Sequence, residues 1–198
     1  MSYDLHFVRV AAGQDAAGVA AAALAAEEEE INPGPVDHKV EEAKLAIAAA
    51  LVEANPNLRI ADFDFGEIAK HLGVSEEEAR RAHRHLELDA GLESRTGIQI
   101  TLFDDTASLS VPYWHHDAAA RAVWDEIWTY LSVLKTAAGF VAYDPQLERP
   151  IDPDLDRDAV LASYEGGVAF TDRVARDISQ QPPQRPWWKF WSRAPNDH

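Results

Sequence analysis

A change of hydrophobic period within residues 96–146 constrains the fold more than any other feature of this sequence. Apolar residues first alternate with polar ones in two runs, 98–103 and 107–113. A period of two predicts a β-strand for each run. Asp104 and Asp105 between them predict a tight turn, because short Asp side chains bond to nearby backbone groups. This stretch is therefore expected to begin with an antiparallel hairpin.

The hydrophobic period lengthens to three or four residues after the hairpin. The apolar residues that follow this spacing are Val123, Trp124, Ile127, Tyr130, Leu131 and Leu134. The spacing is typical of an amphipathic helix, here 117–137, with Asp117 as its N-cap and Trp124 and Ile127 buried. Gly139 is expected to end this helix, because Gly readily adopts the left-handed conformation. The apolar run 140–143 then predicts a further strand.

Two earlier segments complete the predicted fold. Alternation predicts a strand at 3–10, and helical periodicity predicts a helix at 36–54, with Asp37 as its N-cap. The main elements then follow the order β-α-β-β-α-β. This order predicts an α+β fold, a ferredoxin-like split sandwich whose four-stranded antiparallel sheet carries both helices on one face. Two short helices within 63–88 are expected as an insertion before the second strand.

The remaining segments give less regular patterns. Residues 14–30 predict a weak helix, because four glutamates at its C-terminal end oppose the helix dipole. Residues 147–156 are rich in Pro and Asp and are expected to be irregular. A last helix is expected at 172–178. An alternative is that it starts earlier, near Asp156, and is interrupted at Gly166-Gly167. Residues 1–178 would then form a single α+β domain, followed by a separate segment at 179–198.

Composition limits the classes of function. The formal net charge is −16, which disfavours nucleic acids and anionic lipids because both are recognised mainly through Lys and Arg. The chain contains no cysteine, so disulfides, thiol nucleophiles and cysteine-bound metals are excluded. Its start, MSYDLHFVRV, lacks the pattern of a signal peptide, and we expect a cytoplasmic protein. The sequence contains no Gly-rich phosphate loop, Gly-x-Ser-x-Gly elbow or His-Glu-x-x-His zinc motif, so no catalytic residue and no cofactor is predicted.

Residues 67–86 resemble the helix-turn-helix of bacterial transcription and sigma factors. Gly73 provides the turn, and Ser75 with Glu78 forms a capping box at the start of the second helix. The resemblance implies a DNA-binding regulator that uses Arg80, Arg81 and Arg84. However, residues 76–78 are all glutamate, and they stand at the helix end that would meet DNA. A helical corner packed for structural reasons has the same turn and cap, and nucleic-acid binding is the less favoured interpretation.

Polar and aromatic residues follow two of the predicted strands. They are Tyr113, Trp114, Tyr143, Asp144 and Gln146. Ligand crevices often form at strand ends, so these residues could line a small-molecule site. The alternative is that Tyr and Trp close the core and Pro112 and Pro145 end the strands. His115, His116 and Asp117 lack the spacing of metal ligands on one helix face, and no metal site is predicted.

The segment 179–198 combines a proline-rich linker with an aromatic and basic tail. The residues predicted to make contacts are Trp187, Trp188, Lys189, Phe190 and Trp191. Aromatic rings beside cations suit a protein partner, a weak membrane contact or a contact in cis with the acidic domain. These three alternatives remain open.

Four segments of the chain together resemble small uncharacterised bacterial proteins, some of them immunity or accessory proteins. These segments are MSYDL at the start, TGIQI, PYW and GFVAYDPQ. The resemblance implies no catalytic residues. We therefore expect a non-enzymatic interaction protein, immunity-like or adaptor-like, that binds a protein partner. A DNA-binding regulator and a small-molecule-binding domain near Tyr113 and Tyr143 are the alternatives.

Overall fold

A computed structural model describes residues 1–27, 36–91 and 95–180 of this chain. The strands are β1 (Ser2–Arg9), β2 (Arg59–Ile60), β3 (Leu86–Asp89), β4 (Gln99–Leu102), β5 (Thr106–Pro112), β6 (Phe140–Asp144) and β7 (Arg149–Ile151). The helices are α1 (Ala16–Glu27), α2 (His38–Ala54), α3 (Phe65–Leu72), α4 (Glu76–Ala82), α5 (Asp117–Ala138) and α6 (Arg157–Gln180). The predicted mixed α and β character is confirmed.

The strands form one open antiparallel sheet in the order β2-β3-β4-β5-β1-β6-β7. β1 lies between β5 and β6, with Leu5 opposite Leu109 and Val8 opposite Val141. The strands predicted at 3–10 and 140–143 therefore pair directly. The prediction of only four strands is wrong, because β2, β3 and β7 extend the sheet on both sides.

The three unpredicted strands have weak sequence patterns. β2 has only two residues, too few to show any alternation. β3 begins within the segment 63–88, which was expected to be a helical insertion, and it pairs with both β2 and β4. β7 lies in the segment expected to be irregular, and it contains Pro150, which an edge strand tolerates because one side of that strand needs no hydrogen bonds.

Local capping signals define several helix ends as predicted. Asp37 caps α2 by accepting a hydrogen bond from the Lys39 backbone N–H. Gly139 ends α5 in the left-handed conformation, with φ of 67°. The prediction of Asp117 as an N-cap is wrong: His116 occupies that position and its side chain makes no capping hydrogen bond. Asp117 is instead the first helical residue and has a positive φ of 50°.

The helices α1 and α6 compare differently with the predictions. α1 covers twelve residues within the predicted helix at 14–30, and residues 28–30 lie outside the described residues. α6 starts at Arg157 and runs to Gln180 without a break at Gly166 or Gly167. Both glycines are helical, so neither interrupts α6.

The core lies between one face of the sheet and the helices α2, α5 and α6. Tyr3, Leu5 and Phe7 of β1 point into it, as the alternation predicted. Trp124 and Ile127 of α5 are 1 % and 0 % exposed, so their predicted burial is confirmed. Val160, Tyr164 and Val168 carry the α6 contribution.

The opposite sheet face is polar in its centre. Asp4 and His6 of β1 lie opposite Ser110 and Ser108 of β5, and all four are partly exposed. α1 contacts β1, β6 and β7. Within residues 1–27, 36–91 and 95–180, no helix combines the length and apolar character needed to cross a bilayer.

Candidate functional site

The ends of β5 and β6 lie close together in the structure. Both strands run antiparallel to β1, so their C-terminal ends meet beside its first residues. Tyr113 follows β5 and its ring packs edge-on against Tyr3, with 6.2 Å between the centroids. Asp144 ends β6 and accepts a hydrogen bond from the Tyr3 hydroxyl. Two of the five residues predicted at the strand ends, Tyr113 and Asp144, thus converge on one side chain.

Asp144 is a fully buried carboxyl group, and several donors surround it. Besides the Tyr3 hydroxyl, the backbone N–H groups of Gln146 and Leu147 donate to it at 2.8 and 3.1 Å. In the amide orientation that satisfies its neighbours, Gln146 also donates to Asp144 and to the Asp4 carbonyl. Burial, and then the hydrogen bond to Asp144, raise the pKa of Tyr3, so this hydroxyl remains a donor. These contacts close the turn after β6.

Tyr113 belongs to a cluster of rings between the sheet and α6. It stacks on Tyr164 with 5.5 Å between centroids, and Tyr164 packs edge-on against Trp124. The Tyr164 hydroxyl donates to the Pro112 carbonyl at 2.6 Å. A Cβ added at Gly167 would lie 2.6 Å from the Tyr113 Cζ atom. Gly167 therefore gives Tyr113 the space to lie against α6.

Of the other three residues predicted at the strand ends, Tyr143 and Trp114 point elsewhere, and Gln146 contacts Asp144 from the turn. Tyr143 alternates with Asp144, so it lies on the opposite sheet face, across from His6. Trp114 is 61 % exposed and its ring lies over Gly97. Gln146 is exposed on the turn. The structure does not bring the five residues into one cavity. Trp187, Trp188, Lys189, Phe190 and Trp191 lie outside the described residues.

The consecutive histidines have separate contacts. His115 is buried and its Nε2 atom lies 2.6 Å from the Thr96 carbonyl oxygen. His116 is exposed, and its Nδ1 atom lies 3.9 Å from a carboxylate oxygen of Asp172. In the parts of the chain that the structure describes, no three acidic or histidine side chains are grouped as metal ligands.

The segment resembling a helix-turn-helix consists of α3, the turn at Gly73 and α4. Gly73 has a left-handed φ of 69°, and Ser75 and Glu78 form the predicted capping box. The arginines are paired with nearby carboxylates: Arg80 with Glu76 at 2.7 Å and Arg81 with Glu77 at 3.1 Å.

Arg84 follows α4 and pairs with Asp104 in the turn between β4 and β5. Its side chain is only 15 % exposed in this pair. The three cations available for phosphates are therefore already bound to carboxylates of the same chain.

A cleft of about 340 Å³ lies beside this segment, and we call it the aromatic cleft. It opens between the start of α2, the connection from β2 to α3 and the connection from α4 to β3. Its lining residues are Val36, Glu41, Ala61, Asp62, Phe63, Phe65, Arg80, His83, Arg84, His85 and Leu86. Its volume is at the lower end of the range usual for ligand pockets.

Four rings form the walls of the aromatic cleft. The Phe63 centroid lies 5.9 Å from Phe65 and 5.7 Å from His85. The rings of His83 and His85 are 5.8 Å apart, and the Arg80 guanidinium lies 4.5 Å from the Phe65 centroid. These rings are only half-buried, so the cleft presents apolar surface to solvent.

A buried cation holds one wall of the aromatic cleft in place. Lys44 of α2 is 2 % exposed, and its ammonium group donates to the Arg84 carbonyl at 2.7 Å and to Asp104 at 2.8 Å. It also pairs with Glu41 at 2.8 Å. Burial alone would raise the pKa of Asp104, but Lys44 and Arg84 outweigh it and hold that pKa below its usual range. The network joins α2, the connection from α4 to β3 and the β4–β5 turn.

The aromatic cleft was not predicted from the sequence. Its rings come from two segments about twenty residues apart, which meet because β2 pairs with β3. One pattern in the sequence could have indicated the cleft. Phe63-Asp64-Phe65 and His83-Arg84-His85 both place rings two residues apart, which would lie on the same side of an extended chain.

Comparisons with known proteins identify no relative of this chain. No family model matches it, and no curated protein or solved structure does. What the chain does therefore has to follow from its own residues.

Proposed function

We propose that this chain is a non-enzymatic interaction protein, adaptor-like or immunity-like, and that the aromatic cleft binds a segment of a partner protein. The observation that carries the proposal is the open group of half-buried rings around Phe63. Aromatic residues in concave sites contribute a large share of the binding energy in protein interfaces. Filling the cleft would remove the exposed faces of Phe63, Phe65, His83 and His85 from water.

The charges around the aromatic cleft suggest the chemistry of the partner. Arg80 and Arg84 are bound to carboxylates of the chain, while Asp62 is exposed at the rim. The chain as a whole carries −16. A partner segment with an apolar side chain next to Lys or Arg would fit the aromatic walls of the cleft and complement the negative charge of the chain. The opposite charges would also accelerate association of the two proteins.

A DNA-binding regulator is the second candidate, and one observation favours it. α3, the Gly73 turn and the capped α4 have the local order of a helix-turn-helix. The internal pairing of Arg80, Arg81 and Arg84 weighs against it, because phosphate binding would have to compete with Glu76, Glu77 and Asp104. The third candidate, a small-molecule site near Tyr113 and Tyr143, has less support, since these side chains lie on opposite sheet faces.

We also infer a ferredoxin-like unit within the larger sheet, in a cytoplasmic protein. The four central strands lie in the order β4-β5-β1-β6 in the sheet. Along the chain, α2 comes between β1 and β4, and α5 comes between β5 and β6, as in the split βαβ arrangement. β2, β3 and β7 would be additions to this unit. An experimental structure with another central order would contradict the inference, and cell fractionation would test the compartment.

Affinity capture with the full chain tests the proposed function. We would compare the wild type with Phe63→Ser, which removes a ring from the cleft, and Asp62→Lys, which reverses a rim charge without altering the packing. Leu155→Ser is the matched control, because Leu155 is 84 % exposed and lies outside the cleft. Melting curves would verify that each variant is folded.

We expect one protein to be retained by the wild type and the control and lost by Phe63→Ser. With the purified partner, Phe63→Ser should weaken binding by about 30-fold, the effect of losing a central aromatic contact of roughly 2 kcal/mol. Asp62→Lys should slow association at low salt. If both cleft variants bind as tightly as the control, the aromatic cleft is not the binding surface.

A further inference from the structure

The last turns of α6 carry an apolar face that the described domain leaves exposed. Val160, Tyr164 and Val168 are buried in the core. Beyond them, Phe170 is 57 % exposed and Ile178 is 65 % exposed.

Val174, between these two residues, is half-buried. Residues four apart lie on the same side of a helix, so Phe170, Val174 and Ile178 form one continuous strip, which we call the α6 stripe. Its length is about 12 Å, from eight residues at 1.5 Å each.

The segment that follows α6 has the composition and the length to cover this stripe. Residues 181–186 contain three prolines and no other apolar residue, and Trp187, Trp188, Phe190 and Trp191 come next. Prolines favour an extended chain of about 3.1 Å per residue, so this linker spans up to about 19 Å. The distance back along α6 from Gln180 to Phe170 is about 15 Å. The first tryptophan can therefore reach every position of the stripe.

We infer that the aromatic segment Trp187–Trp191 of this chain binds in cis to the α6 stripe. The inference is independent of the proposed function of the aromatic cleft. The short linker holds the segment near the stripe at a local concentration of the order of millimolar, so even a weak contact would form. Arg185, Lys189 and Arg193 give the segment a positive charge that the acidic domain attracts.

The negative charge of the domain disfavours two other occupants of the α6 stripe, a second copy of the chain and an anionic bilayer. A second copy of the chain would bring another −16 to the contact. An anionic bilayer would repel the domain to which the segment is attached. Exposed Asp177 lies three residues after Val174, beside the α6 stripe, and offers a carboxylate to the cations of the segment.

Cysteine cross-linking in the full chain tests this inference cleanly, because the natural sequence contains no cysteine. The test variant combines Val174→Cys in the stripe with Lys189→Cys, which keeps all four rings of the segment. The matched control combines Arg176→Cys with Lys189→Cys. Arg176 is exposed and lies two positions after Val174, about 200° around the helix, so its distance from the linker is similar but it faces away from the stripe.

With oxidised glutathione as the oxidant, we expect the intramolecular disulfide to form at least about tenfold faster with Val174→Cys than with Arg176→Cys, since binding raises the local concentration on one face only. Adding Phe170→Ser and Ile178→Ser should reduce the rate to that of the control.

Three results would overturn the inference. Equal rates in the two cysteine pairs would mean that the tether alone brings the groups together. Disulfide-linked dimers as the main product would assign the stripe to a second copy. Loss of the intramolecular product in the presence of phosphatidylcholine vesicles containing phosphatidylglycerol, with the chain sedimenting with them, would assign the segment to a lipid surface.

Discussion

Substitution of the two adjacent glycines of α6 by alanine should have opposite effects on stability. Alanine at either position favours the helix by about 0.5–1 kcal/mol relative to glycine. At Gly166 an added Cβ meets nothing within 4 Å, so Gly166→Ala should stabilise the fold. At Gly167 the same atom would lie 2.6 Å from Tyr113 Cζ. Tyr113 cannot move freely, because it also packs against Tyr3 and Tyr164.

The difference between the two variants isolates the contact with Tyr113, since the gain in helix propensity is common to both. Forcing an extra carbon into a packed site costs about 1–3 kcal/mol, so Gly167→Ala should be less stable than Gly166→Ala by that amount. For a chain of this length, this corresponds to a difference of about 2–12 °C in melting temperature.

Urea unfolding followed by circular dichroism would measure the two free energies. In a Tyr113→Ala background the difference between Gly166→Ala and Gly167→Ala should disappear, because the ring that the added carbon meets is absent. Equal stabilisation by both substitutions in the wild-type background would refute the contact between Tyr113 and α6.

Three further predictions concern the core, the buried cation and DNA. Trp124→Ala should destabilise the fold by roughly 3–5 kcal/mol, as for other large aromatic deletions, and an unchanged melting curve would mean that α5 presents another face. Asp104→Asn should be less stable than the wild type at pH 7. Because the folded-state pKa of Asp104 is lowered, this gap should close as the pH falls below about 4, and a gap independent of pH in urea titrations would contradict the role of Lys44. In gel-shift assays at physiological salt we expect no specific DNA complex; a complex that resists salt and is lost in Arg80→Ala/Arg84→Ala would establish DNA binding.

The region of the aromatic cleft shows why sequence patterns could predict only part of the candidate site. The capping box at Ser75 and the turn at Gly73 were predicted, because both depend on residues within one turn of each other. The meeting of Phe63 with His85 was not predicted, since it depends on pairing between β2 and β3. β2 has two residues and no periodic signal, so nothing local indicates that pairing.

The residues at the strand ends give a similar result. The sequence placed Tyr113 and Asp144 at the ends of two strands, and the antiparallel pairing of both strands with β1 brings them to the same tyrosine. Adjacent residues of a strand face opposite sides of the sheet, but the sequence could not show that Asp144 faces the core and Tyr143 the partly exposed side.

The sequence by itself determined the elements with strong local signals: the β4–β5 hairpin, α2, α5 with its buried Trp124, and the strands β1 and β6. Period and capping are properties of neighbouring residues, so they can be recognised without knowing the fold. The tertiary structure alone decided the width of the sheet, the burial of Lys44 in a polar network and the place of Gly167 beneath Tyr113. Each of these depends on contacts between residues distant in the chain, whose energy exists only once the sheet has brought them together.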